Sequence, residues 1–87
     1  METSLLMLLE KENKAVNAYN TSQRNMNIFE KEIERIANGP LDSNTKMEDI
    51  AICVKHVTYY QNEAMEHANE IVRARSEIKE YLKNLIF

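Results

Sequence analysis

RIANGPLDSNTKMED, residues 35–49, holds the only glycine and the only proline of an 87-residue chain, Gly39 and Pro40, side by side near its midpoint. Asn38 and Gly39 suit the end of a helix, where a residue in the left-handed region is needed, and Pro40 blocks continuation. Thr45 and Glu48 then form a T-x-x-E capping box, with Asp49 adding negative charge to the same first turn. The reading is a helix over about 4–38, a loop over about 39–45 and a second helix over about 46–85. A β-sandwich or barrel needs turn signals every 8–12 residues, and a single Gly-Pro pair cannot supply them. The chain is therefore one all-α domain, 1–87.

Steps of three and four residues, taken outward from this turn, test the two helices. In the first they pick out Leu5, Leu8, Glu12, Ala15, Tyr19, Ser22, Met26, Phe29, Ile33 and Ile36. In the second they give Met47, Ile50, Val54, Val57, Gln61, Ala64, Ala68, Ile71, Arg75, Ile78, Leu82 and Leu85. Both are seams of the coiled-coil type, interrupted only by Glu12, Ser22, Gln61 and Arg75. Folding the chain at Gly39-Pro40 into an antiparallel hairpin brings residues whose numbers sum to 83 face to face. Ser22 then meets Gln61, and Arg75 lies one turn beyond the residue facing Glu12. The interruptions thus resolve into two polar pairs of the kind that fix register. The weak segment is NAYNTSQRNMN, residues 17–27, whose helix propensity is poor; a break near Asn20–Ser22 is the alternative there.

An isolated two-helix hairpin has no enclosed core. The second helix flanks its seam with Ala51, Met65 and Val72 on one side and Cys53, Tyr60, Ala74 and Tyr81 on the other, while the first adds Leu6, Leu9 and Val16. That is more apolar face than one partner helix covers. A four-helix bundle formed by two copies, or a complex with another helical protein, is expected. In the terminal EIKEYLKNLIF, residues 77–87, the same register leaves Leu85, Ile86 and Phe87 overhanging the first helix. Together with Leu82, Tyr59, Tyr60, Met65 and Val72 they form the expected partner or oligomer interface.

Chemistry is sparse. A bundle metal site wants Glu-x-x-His on each of two helices, but the residue three before His67 is Ala64, and Glu63, Glu66 and Glu70 fall outward. Glu63 and His67 read as an i,i+4 surface pair, and no metal or other cofactor is expected. Cys53 and His56 lack an orienting third group and a glycine-rich oxyanion turn, and no phosphate-binding glycine loop occurs; no enzyme is expected. Arg73, Arg75, Lys79 and Lys83 are interleaved with Glu70, Glu77 and Glu80, so nucleic acid is not the expected partner. The net charge of −3 comes from interspersed acids and bases. The lone cysteine fits a reducing cytosol, and the short run Leu5–Leu9 is neither signal peptide nor membrane span.

These features point to a small non-catalytic interaction module acting as a cytoplasmic helical homo-oligomer: an adaptor, co-chaperone or inhibitor that masks a surface of another macromolecule. The other reading is an oligomer that sequesters a small anionic ligand such as a nucleotide, with Tyr19, Arg24, Tyr59 or Arg73 supplying stacking and charge.

Overall fold

The computed structural model describes residues 2–86, and the side chains of residues 5–85. Two helices, α1 (Glu2–Ala37) and α2 (Ser43–Ile86), form an antiparallel hairpin measuring 66 × 14 × 13 Å. The 44 residues of α2 at about 1.5 Å each account for its whole length.

The turn is built differently from the expectation. The Asn38 amide donates to the Glu34 carbonyl at 3.1 Å, and the Gly39 amide reaches only three residues back, to Ile36, at 3.1 Å. No described residue has a positive φ, so α1 closes on a tightened final turn, without the left-handed cap. Glycine is favoured at 39 by crowding instead, since a Cβ there would sit 3.2 Å from the Arg35 carbonyl oxygen.

The cap of α2 is Asp42, three residues before the expected Thr45. The Thr45 amide donates to Asp42 Oδ1 at 2.8 Å and the Thr45 hydroxyl to Oδ2 at 3.1 Å. Asp42 is the better cap because its carboxylate accepts an otherwise unpaired amide and faces the positive helix end. Lys46, one residue further on, donates from Nζ to the Ala37 carbonyl at 3.0 Å. The first turn of α2 thereby ties off the last turn of α1.

Both Thr45 hydrogen bonds hold the Asp42 carboxyl below its ordinary pKa. A carboxyl with a depressed folded-state pKa stabilises above its unfolded pKa, and that contribution disappears as pH falls through the folded value. Asp42→Ala is therefore expected to lower Tm at pH 7 and to lower it by less at an acidic pH beneath the folded-state pKa, where the wild-type carboxyl is protonated as well. Thermal melts by circular dichroism at the two pH values measure the difference.

Along α1 the ten expected seam positions are all buried or half-buried. No break occurs at Asn20–Ser22. Thr21 returns its hydroxyl to the Asn17 carbonyl at 3.0 Å, Gln23 donates to the Tyr19 hydroxyl at 2.9 Å, and Ser22 is buried under α2. Packing carries this segment despite its propensity.

In α2 half of the expected seam is replaced. Ile50, Val57, Ala64, Ile71 and Ile78 do face α1, but their companions are Cys53, Tyr60, His67, Ala74 and Tyr81. Met47, Val54, Gln61, Arg75, Leu82 and Leu85 are exposed, and Ala68 is half-buried. The helix is rotated by about one residue from the expectation and slid along α1. Cross-helix contacts join Lys46 to Ala37, Phe29 to His56 and Tyr60, Arg75 to Glu12 and Lys11 to Glu77. Their residue numbers sum to between 83 and 89, and the two observed seams match throughout at a sum of 86, three more than expected. Two consequences follow for the polar pairs. Ser22 is level with buried Ala64, while Gln61 points outward; Glu12 and Arg75 do pair, at 3.7 Å. The slide also shortens the expected overhang, bringing Leu85 about level with the start of α1; the Ile86 side chain and Phe87 lie outside the described residues.

The resulting interior is thin. Among the described residues the buried apolar ones are Ala15, Ile36, Cys53, Ala64 and Ala74, and no large side chain is fully buried. A compact protein of 10.2 kDa exposes about 5,300 Å², whereas this chain exposes 6833 Å².

Candidate interaction surface

The seam divides the hairpin's surface into two flanks. Lys11 and Glu77, each immediately preceding a seam residue, meet at 3.3 Å. Residues that precede seam positions therefore share one flank, and those that follow seam positions share the other.

The preceding flank is charged. On α2 it carries Asp49, Ile52, His56, Tyr59, Glu63, Glu66, Glu70, Arg73, Glu77 and Glu80. His56 stacks on Phe29, with centroids 4.5 Å apart, and Tyr59 packs edge-on against Tyr60 at 5.2 Å. Tyr59 is exposed, and the neighbouring Glu63 carboxylate, as hydrogen-bond partner and as a like charge, holds its phenol above the ordinary pKa. Glu63 thus serves Tyr59, while His67 lies nearest Glu70, with 3.6 Å between Nδ1 and Oε1. That separation is too long for a hydrogen bond, and Nδ1 is buried without a partner. Among the described residues no group of His, Cys, Asp and Glu is gathered as for a metal ion.

The following flank changes character along its length. In the half nearest the free ends it presents Leu6, Leu9 and Val16 from α1 and Met65, Ala68, Val72 and Leu82 from α2. Leu6, Met65 and Val72 are each about 60% exposed. Among the described side chains of this half-flank only Arg75 and Lys79 are charged, and Arg75 is drawn toward Glu12. Nearer the turn the flank becomes mostly polar on α1, with Asn27, Glu30 and Glu34, and mixed on α2, with Thr58 and Gln61 beside Val54 and Ala51.

The expected interface residues are therefore split. Met65, Val72 and Leu82 fall together on the apolar half-flank, Tyr59 lies on the opposite, charged flank, and Tyr60 is inside the seam. Leu85 is exposed at the end of α2; the Ile86 side chain and Phe87 lie outside the described residues. Leu6, Leu9 and Val16 complete the surface from α1. Their spacing in sequence marks them as apolar flank residues, but only the observed rotation of α2 shows which α2 residues join them.

The groups expected to hold an anion do not converge. Tyr59 and Arg73 are 14 residues apart on α2, about 21 Å along its axis. Tyr19 is engaged by Gln23 and Arg24 donates to Thr21. Arg73 lines a shallow hollow with Lys11, but Glu70 and Glu77 line it too.

Comparison with protein-family models, curated proteins and solved structures finds no match to this chain. Among the described residues no helix is long and apolar enough to cross a membrane.

Proposed function

We propose that this chain is a non-catalytic protein–protein interaction module that works by packing helix against helix, assembling with itself into a helical bundle and through it masking a surface of another macromolecule. The observation that carries this reading is the apolar half-flank of Leu6, Leu9, Val16, Met65, Ala68, Val72 and Leu82, set on a hairpin with almost no interior. Exposed apolar surface of this kind, with charge beside it, marks an interaction site. The chain exposes about 1,500 Å² more than a compact chain of equal mass, and association covers part of that surface. With Cys53 a free buried thiol, a reducing cytosol is the compartment proposed.

Sedimentation equilibrium at micromolar concentration tests the self-association: a dimer or higher oligomer is expected, and a monodisperse monomer overturns it.

A further inference from the structure

We infer that the apolar half-flank is covered by a second copy of this chain lying alongside the first with both turns at the same end, so that α1 of each copy packs on α2 of the other. The inference rests on the self-association proposed above and specifies its geometry.

The argument is one of level. A two-fold axis relating two hairpins packed flank to flank runs either along the rod or across it. Along the rod, each residue keeps its distance from the turn, and α1 of one copy faces α2 of its partner. Followers of the seam whose numbers sum to 88 then meet, two residues from the sum that orders the seam itself. Leu6 meets Leu82 of the partner, Val16 meets Val72, and Asn20 meets Ala68. The polar residues are matched as well: Asn13 meets Arg75, Asn27 meets Gln61, and Glu30 meets Thr58. Leu9 meets Lys79, Gln23 meets Met65 and Glu34 meets Val54, so the match is of half with half and not of every pair.

With the axis across the rod, the ends are exchanged and α1 faces α1. Leu6 and Leu9 of one copy then come level with Glu34 and Glu30 of the other, which places carboxylates against the exposed leucines. The two helices carry their apolar followers at the same end of the rod, and among arrangements that overlap along the whole rod only the one with turns together sets apolar half against apolar half. It also leaves the acidic preceding flank of α2, from Asp49 to Glu80, facing solvent on both copies, where like charges do not meet.

The area is sufficient. Two separate chains expose twice 6833 Å², whereas a compact 20 kDa particle exposes about 8,800 Å². The difference, roughly 4,900 Å², is the ceiling for a fully compact dimer; two rods side by side bury less, and about a quarter to a half of it already reaches the size of a stable interface.

Double electron–electron resonance on the full chain, spin-labelled at Leu41→Cys in a Cys53→Ala background, reads the arrangement directly. Leu41 lies exposed in the turn. With turns at the same end the label separation is expected below about 30 Å, since neighbouring helices lie 8–10 Å apart. A separation approaching or exceeding 66 Å, the length of the rod, overturns this arrangement and leaves self-association standing. Absence of dipolar coupling, with a monomer in sedimentation, overturns both. Asn44→Cys, at the exposed start of α2, repeats the measurement should the loop variant lose helicity.

Discussion

Ile36→Ala is expected to destabilise the hairpin by about 2–4 kcal/mol, the usual range for removing most of a buried branched side chain. Ile36 is 6% exposed and is the largest side chain among the buried residues. It is the residue before Ala37, whose carbonyl Lys46 of α2 ties down, so its loss loosens the end at which the helices are joined. A chain of this length is held by about 4–13 kcal/mol in all. A Tm decrease of at least about 10 °C is therefore expected. The comparison is Ile28→Ala, equally apolar but 61% exposed, which should change stability by no more than about 0.5 kcal/mol. Both variants should be melted at one chain concentration, because association raises apparent stability. Equal losses at 28 and 36 would mean that the seam does not run where it is described.

Val72→Glu should have the largest effect on association. Val72 is 64% exposed in the single hairpin, so the substitution costs the fold little and preserves far-ultraviolet helicity. In the proposed dimer it places a carboxylate against Val16 of the partner, at about 2 kcal/mol or more. Symmetry imposes that twice. Dissociation should strengthen by roughly a thousandfold, turning a micromolar dimer into a monomer in sedimentation equilibrium. Ile52→Glu, on the charged flank at 56% exposure, should leave the dimer intact. Dissociation by Ile52→Glu but not by Val72→Glu would move the interface to the other side of the hairpin.

The contrast between Val72 and Ile36 shows where sequence is sufficient. In α1 the apolar steps have one solution: the residues following the seam between Val16 and the last turn are Asn20, Gln23, Asn27, Glu30 and Glu34, all polar. In α2 there are two solutions. Ile50, Val57, Ala64, Ile71 and Ile78 belong to both. The remaining edge can be Cys53, Tyr60, His67, Ala74 and Tyr81 or Val54, Gln61, Ala68, Arg75 and Leu82, and the spacing is equally regular in each. Periodicity identifies the residues that avoid water without saying which neighbour they avoid it with. The expected seam mixed the edge facing α1 with the edge left open. The cap was misplaced for a related reason, since Asp42 and Thr45 are both good capping residues three positions apart. The hairpin itself was legible because the Gly39-Pro40 pair is unique in the chain.

The length of α2 also governs how the particle would look in solution. A compact 87-residue chain has a radius of gyration of about 12 Å; this one has 19.5 Å, as large as a compact protein of roughly 300 residues. For a thin rod nearly all of that radius comes from length. Laying a second rod beside the first doubles the mass while adding little to the radius, whereas joining two rods end to end would nearly double it. In small-angle X-ray scattering, side-by-side association therefore raises forward intensity per chain twofold at an almost constant radius, and gel filtration would place the monomer itself among much heavier globular proteins.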